Sequence, residues 1–152
     1  MPPFSIVDAH AHIISSDPLR YPYAPPGGQV PEWLPERSVD AKQLLERMPR
    51  AGVDQAVLVQ YSSAHGYDNS YVLDTVARYA DRFVAVCTLD GLHPEAADRL
   101  SVLMQERGAS GLRLRAPRRQ GPLDWLRCEP LWQQSASSAR THSLASARAA
   151  AK

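Results

Sequence analysis

The feature that most constrains the fold of this chain is the repeated alternation of short apolar runs with longer segments of helical periodicity. The second run is nearly continuous in valine, alanine and leucine, as expected for a strand that is covered on both faces. Four such runs predict strands at Phe4–Ala9, Asp54–Gln60, Phe83–Leu89 and Gly111–Arg115. Strands that alternate with helices form parallel sheets with right-handed crossovers, so the sequence predicts an α/β fold.

The segments between the strands carry residues that begin and end helices. Residues that favour helix starts are Asp40, Asp68, Asn69, Ser70 and Pro94, and residues that favour helix ends are Gly52 and Gly108. Helices are therefore predicted at about 41–52, 70–81 and 94–108, with a further short helix at Glu129–Gln134. The apolar residues expected to face the core are Leu44, Leu45, Met48, Val72, Val76, Tyr79, Leu100, Leu103 and Met104.

Two segments do not follow the alternation of predicted strands and helices. Residues Ser15–Arg37 contain six prolines and replace the short loop that usually follows a strand. A long loop after a strand of a parallel sheet is a common place for ligand contacts, and the alternative is a surface excursion without function. Residues 135–152 are almost entirely Ala, Ser and Arg, so we expect disorder there. Such a tail is what a truncated or out-of-frame reading of a longer gene would leave.

Charge and composition argue against several classes of partner. The net charge of +1 gives no electrostatic reason to expect nucleic acid or an anionic membrane surface. No stretch approaches the roughly 20 apolar residues of a membrane helix, and the first residues lack a signal-peptide pattern. Cys87 and Cys128 do not resemble a disulfide framework, and Cys87 is expected to be buried in its apolar run. We therefore expect a cytoplasmic protein.

The motif that carries chemistry is Asp-Ala-His-Ala-His at the end of the first predicted strand. Alternate side chains of a strand point to the same face, so Asp8, His10 and His12 are expected on one face. Two imidazoles at the C-terminal end of a strand in a parallel sheet can bind one divalent cation and leave positions open for water or substrate. The alternative is a pair of histidines that only form hydrogen bonds in a polar rim.

Several motifs together resemble the amidohydrolase-2 type metal-dependent hydrolases, and most closely their 2-pyrone-4,6-dicarboxylate lactonase-like branch. The residues VDAHAHI at 7–13 resemble the opening of that family. The segments that resemble its tyrosine- and proline-rich loop, its second strand with the next loop, and its arginine-bearing fourth strand are Tyr21–Pro25, Val57–Asp74 and Gly111–Arg119. The resemblance runs from about Phe4 to Trp132.

The resemblance implies a (β/α)₈ TIM barrel, of which residues 1–134 would form about the first four βα units and residues 135–152 a tail. The chain has 152 residues, which is short for a barrel that typically needs about 250. We therefore expect a half barrel from a truncated chain.

The resemblance also implies a site of which this chain holds only a part. The family adds metal-ligand or catalytic histidines on the fifth and sixth strands and a catalytic aspartate at the end of the eighth, so no catalytic residue is assigned here. His142 is not assigned such a role, because its Ala and Ser surroundings cannot form a strand. The predicted ligands of a weakly held Zn²⁺ or Mn²⁺ are His10 and His12. Lactonases of this branch can act without a tightly held metal, so the pair need not be metallated.

The residues expected to bind substrate are Ser63, His65, Arg113 and Arg119. His65 follows the second strand and so lies on the catalytic rim, with an ordinary loop histidine as the alternative. Arg113 alternates with two leucines and should point into the barrel, where a substrate carboxylate suits its planar guanidinium. Asp68 and Asn69 are as well placed to cap a helix as to touch a ligand. His93, before a proline, is expected at a helix start.

These observations leave three functions open. The resemblance favours hydrolysis of a carboxylated small molecule such as a lactone, or a similar ester or amide. The alternatives are decarboxylation on the same scaffold and a non-catalytic half barrel that self-associates. Because a half barrel leaves unpaired strand edges, we expect a homodimer through those edges, or aggregation, and no activity from the chain alone.

Overall fold

A computed structural model of the protein describes residues 5–114 and 129–138. It contains one sheet of four parallel strands in the order β1-β2-β3-β4, paired as neighbours along the chain. The strands are β1 Val7–Ala11, β2 Gln55–Val59, β3 Phe83–Leu89 and β4 Ala109–Leu114. The predicted α/β fold with sequential parallel strands is therefore confirmed, and β3 has the predicted bounds.

Helices connect the strands and follow the last of them. They are α1 Leu34–Arg37, α2 Ala41–Arg47 with a 3-10 turn at Met48–Ala51, α3 Ser62–His65, α4 Ser70–Arg78, α5 Ala96–Gln105 and α6 Glu129–Ser138. The short helices α1 and α3 lie in segments for which no helix was predicted. Helix α6 extends four residues beyond the predicted end at Gln134. The rest of the tail, from residue 139, lies outside the described residues, and its disorder stays a prediction. Among the described residues, no helix has the length and apolar character needed to span a membrane.

The start of α2 shows how local chemistry fixes a helix boundary. The Asp40 carboxylate accepts a hydrogen bond from the Gln43 backbone N–H at 2.8 Å, and the Gln43 side chain accepts one from the Asp40 N–H at 3.0 Å. This reciprocal pair satisfies backbone donors that the first turn leaves free. The segment ends at Gly52, whose φ of +70° lies in the left-handed region that glycine adopts without strain.

The core lies between one face of the sheet and the helices. On β2 and β3, alternate residues are almost completely buried against apolar residues of α4 and α5: Ala56, Leu58, Phe83, Ala85 and Cys87 face Val72 and Leu100. Burial raises the pKa of the Cys87 thiol to about 12, so the prediction that Cys87 is a small buried residue is confirmed. Val57, Val84 and Val86 alternate with these residues and are only half-buried on the opposite, inner face.

Strand β1 contains an irregularity that corrects one prediction. Asp8 pairs with Ala56 and Ala11 pairs with Leu58, so three steps along β1 match two steps along β2. Because Ala56 and Leu58 share the core face, this register places Asp8 on the core side of the sheet. The Asp8 carboxylate accepts a hydrogen bond from the His10 backbone N–H at 3.0 Å. The expectation that Asp8 shares a face with His10 and His12 is therefore wrong, because a bulge interrupts the alternation.

Candidate metal site

The two histidines of the first strand meet at the C-terminal end of the sheet. His10 is an exposed residue of β1, and His12 is half-buried immediately after the strand. Their Nε2 atoms lie 3.3 Å apart, and their rings meet edge to face with an interplanar angle of 88°. Two donors bound to one tetrahedral cation at about 2.0–2.1 Å would lie roughly 3.3–3.4 Å from each other. The pair therefore already has the spacing that one shared cation requires.

The orientation of His12 is set by the neighbouring strand. Its Nδ1 lies 2.6 Å from the carbonyl oxygen of Val59, at the end of β2. Because a carbonyl oxygen only accepts, Nδ1 carries the hydrogen, and the lone pair of Nε2 is left for a cation. Metal-binding histidines are commonly held in this way by an outer hydrogen bond.

The surroundings of His12 favour its neutral form. Burial lowers the pKa of the His12 imidazole, the hydrogen bond to Val59 acts in the opposite direction, and the charges of His10 and Arg113 lower the pKa further. A neutral imidazole is the form that binds a metal. The residues present therefore fit a divalent cation, although the pair supplies only two donors. Within residues 5–114 and 129–138, no group of three His, Cys, Asp or Glu side chains is gathered to hold a metal.

Arg113 lies on the inner face of the sheet, as the sequence predicts. Its strand neighbours Leu112 and Leu114 pack against the core, and Arg113 pairs in register with Thr88 of β3. Its charge acts on His12, which places the guanidinium in the electrostatic environment of the histidine pair. The hydroxyl of Thr88 is buried without a hydrogen-bond partner among the described residues. Arg119, the second predicted arginine, lies outside the described residues.

The structure gives His65 contacts with backbone rather than with the histidine pair. His65 ends α3 and is 2% exposed. Its Nε2 lies 3.3 Å from the Ser15 backbone nitrogen, and its Nδ1 lies 3.2 Å from the Pro22 carbonyl oxygen. Direct binding of substrate by His65 stays a prediction, and these contacts favour the alternative of a loop histidine. Ser63, in the same helix, is half-buried and lies four residues after the end of β2.

The hydrogen bonds of three further residues bear on their alternative roles, and contact of Asp68 or Asn69 with a ligand stays a prediction. The Asp68 carboxylate accepts from the Ser70 N–H at 2.9 Å, at the start of α4. The Asn69 side chain donates to the Thr88 carbonyl at 3.0 Å and accepts from the Thr88 N–H at 2.8 Å, which ties this loop to β3. His93 accepts a hydrogen bond from the Glu95 N–H at 3.2 Å, just before α5, which agrees with the predicted position at a helix start.

An aromatic wall beside His12 is the part of the site that the sequence reasoning missed. Tyr61 follows β2, and its ring centroid lies 4.8 Å from that of His12. Trp33, from the long loop, lies 6.5 Å from Tyr61 and is 42% exposed. The sequence position of Tyr61 could have predicted this contact. Tyr61 follows β2 and His12 follows β1, and residues that follow neighbouring parallel strands lie at the same edge of the sheet.

The fold and the site define a class of protein: an α/β half barrel with a histidine pair at the C-terminal end of its first strand. The profile of the amidohydrolase family matches residues 7–139 of the chain, and the chain belongs to that family. No curated protein sequence matches it significantly.

Solved structures with the same fold agree with this membership. A probable 2-pyrone-4,6-dicarboxylic acid hydrolase from Acinetobacter baumannii, with citric acid bound, matches at 20% identity and a TM-score of 0.61 over 87% of this chain and 47% of its own. A 5-carboxyvanillate decarboxylase from Novosphingobium aromaticivorans, with manganese bound, matches at 18% identity and a TM-score of 0.66 over 90% of this chain and 49% of its own.

A third structure, a dihydroxybenzoic acid decarboxylase from Polaromonas sp. JS666 with manganese and 2-nitroresorcinol, matches at 19% identity and a TM-score of 0.64 over 95% of this chain and 52% of its own. At these identities the likeness shows the fold. The chain spans about half the length of these proteins and contains about the first four βα units of a TIM barrel.

Proposed function

We propose that this chain carries the N-terminal half of a metal-assisted hydrolase site for a carboxylated small molecule, a lactone or a similar ester or amide. The observation that carries the proposal is the 3.3 Å spacing of the His10 and His12 Nε2 atoms, with His12 fixed by Val59. A divalent cation held there would polarise a carbonyl oxygen or lower the pKa of a bound water.

The chain's own residues would bind and orient the substrate around that cation. Arg113 would pair with a substrate carboxylate through its guanidinium, and Arg119 would supply a second positive charge. Tyr61 and Trp33 would present ring faces to a planar substrate on the side of His12. The citric acid in the Acinetobacter protein supports a carboxylated ligand, and the manganese in the two decarboxylases supports a divalent cation. A general base is not assigned among these residues.

Decarboxylation is the second candidate. It is supported by the two manganese-containing decarboxylases that share the fold. The two reactions differ in product: hydrolysis opens a lactone and consumes water, and decarboxylation releases carbon dioxide. A non-catalytic, self-associating half barrel is the third candidate. The exposed residues of β1 support it, because an open strand edge can pair with another chain.

Titration of the purified chain with Mn²⁺ or Zn²⁺ tests the metal site. Because His10 and His12 supply two donors and catalytic zinc sites typically use three protein ligands, we expect dissociation constants of about micromolar or weaker. His10→Ala should abolish the binding, since one remaining imidazole cannot chelate.

His93→Ala is the matched control, because the His93 ring accepts from the Glu95 N–H before α5 and its loss should leave the affinity unchanged. Binding that survives in His10→Ala would contradict the proposed site. Nanomolar affinity lost in that variant would contradict the two-ligand site and indicate ligands from a second copy of the chain.

A further inference from the structure

A segment that we name the strap, residues Ser15–Ala24, is fastened along α3 and α4. The Ala24 N–H donates to the Ala64 carbonyl at 2.8 Å, and the Tyr21 hydroxyl donates to the Asp74 carboxylate at 2.8 Å. The strap also passes so close to Gly66 that a Cβ there would overlap the Ala24 carbonyl oxygen. The strap is therefore held at several points along its length, although none of its residues belongs to a helix or strand.

The buried His65 ring makes two further contacts with the strap, and their chemistry fixes its protonation. The Ser15 backbone nitrogen carries a hydrogen and can only donate, so His65 Nε2 must accept with its lone pair. The Pro22 carbonyl oxygen can only accept, so His65 Nδ1 must donate. Both hydrogen bonds form together only in the neutral tautomer with its hydrogen on Nδ1. A protonated imidazole would set an N–H against the Ser15 N–H and lose that bond.

We propose that His65 is a positioning residue that holds the Ser15 end of the strap beside the histidine pair only in its neutral Nδ1–H form, so that acidification breaks the bond to Ser15 and loosens that end of the strap. The inference concerns the conformation of this chain and does not depend on the reaction of the site. It rests on the two partners of the ring, the Ser15 N–H as donor and the Pro22 carbonyl oxygen as acceptor. No other protonation state of the imidazole forms both hydrogen bonds.

Loosening of the Ser15 end of the strap would affect the candidate metal site through a small apolar cluster. Ile14, Leu34 and Ala64 form this cluster, and Tyr23 and Tyr61 pack against it. Tyr23 belongs to the strap, and Tyr61 lies beside the ring of His12. Ser15, which bonds to His65, is also the third residue after His12. The protonation state of His65 therefore affects both the position of Tyr61 beside His12 and the residues that directly follow His12.

The groups around His65 set the direction of its titration. Burial lowers the pKa of the His65 imidazole, while the hydrogen bond to Pro22 and the negative charge of Asp68 oppose this effect. The rings of Tyr23 and Tyr71 lie 5.6 and 6.0 Å away, and burial raises the pKa of Tyr71, so that phenol stays neutral. With a lowered folded-state pKa, the His65–Ser15 bond is fully formed above the ordinary histidine pKa and is lost as the pH falls through the folded value.

Two measurements on the full chain test the proposal. Nitrogen-15 NMR of the imidazoles should show His65 in the Nδ1–H tautomer at about pH 7.5, which lies above the ordinary histidine pKa of about 6.5. Hydrogen exchange of residues 13–24, corrected for the intrinsic pH dependence of exchange, should show at least about tenfold less protection at about pH 5 than at pH 7.5. An Nε2–H tautomer for His65, or protection that does not change with pH, would overturn the proposal.

Two variants separate His65 from the other groups that titrate in this range. His65→Gln has a neutral amide, so its exchange in residues 13–24 should show no step between the two pH values, whether the strap is held or free. His93→Gln, which changes a half-buried histidine before α5, should keep the step. A step that persists in His65→Gln would assign the effect to another group and refute the proposal. If His65→Gln fails to fold, the tautomer and the exchange of the unsubstituted chain decide the outcome.

Discussion

At the scale of single residues, Arg113 is the charged side chain that most directly links the fourth strand to the histidine pair. Its positive charge is one of the influences that lower the pKa of His12, after burial and the charge of His10. This influence acts through space, so it should survive in the metal-free chain. It also offers a way to locate the guanidinium relative to the site in solution, without a substrate or a metal.

We expect Arg113→Met to raise the pKa of His12, because the substitution removes a positive charge and keeps a long side chain. An NMR titration of the His12 imidazole in the metal-free chain measures the effect. Arg78→Met is the control, since Arg78 lies on α4 with its guanidinium 5.4 Å from the centre of the Tyr79 ring. A His12 pKa that falls or stays constant in Arg113→Met would show that this arginine does not face the histidine pair.

Gly66 gives a second prediction at this scale. Its φ is +57°, and a Cβ would overlap the Ala24 carbonyl oxygen, so Gly66→Ala combines backbone strain with a clash against the strap. We expect a loss of about 2–4 kcal/mol in the free energy of unfolding, measured by urea denaturation. Gly28→Ala should lose only about 1–2 kcal/mol, because Gly28 has a φ of +76° but open space around its Cα. Equal losses would mean that the strap does not press against Gly66.

At the scale of elements, Asn69 connects the start of α4 to β3. Its buried side chain exchanges two hydrogen bonds with the backbone of Thr88 and makes a third with the Tyr67 carbonyl. Replacement would leave buried backbone groups of a central strand without partners, which is a costly change. The residue therefore acts as a fixed link between two elements.

We expect Asn69→Ala to lower the free energy of unfolding by about 2–4 kcal/mol. Asp68→Ala, one residue earlier, removes only an exposed turn bond to the Ser70 N–H and should cost about 1 kcal/mol. Chemical denaturation of the two variants compares them directly. A larger loss in Asp68→Ala would show that the cap, rather than the link to β3, secures this end of α4.

The elements were predictable from the sequence to the extent that they depend on local patterns. β3 has its predicted bounds because seven apolar or β-branched residues stand between polar ones, and α2 begins where the Asp40 capping pair requires. The bulge in β1 was not predictable, because it depends on register with a strand nearly 50 residues away in sequence. The same limit applies to the site. The spacing of His10 and His12 indicated a pair, whereas the partners of His65 lie 43 and 50 residues away and follow no local rule.

At the scale of the whole molecule, four strands form one open sheet rather than a closed barrel within the described residues. Most of β1 is exposed, and Ile6 and Val7 expose 48% and 36% of their surface. On the inner face, Val57, Val84 and Val86 are only half-buried. Open edges and exposed apolar side chains favour association with another surface.

We expect the purified chain to be dimeric or aggregated, because pairing of open edges between two copies would cover this surface. We also expect no hydrolysis of a pyrone dicarboxylate above the buffer rate. No general base is assigned in this chain, and a second copy is identical to the first and does not add one. Light scattering together with a product assay tests both expectations. A stable monomer would contradict the argument from the edges, and turnover that Arg113→Ala abolishes would show that half of the site suffices.

The burial of Cys87 has a practical consequence for studies of this sheet. Thiol reagents attack the thiolate, and a thiol with a pKa of about 12 inside β3 has almost none at neutral pH. Cys87 can therefore be alkylated only when the strand separates from its neighbours. In a Cys128→Ser background, which leaves Cys87 as the remaining cysteine, the alkylation rate would count such opening events. The naturally occurring Cys87 therefore serves as a chemical probe for opening of the core around β3.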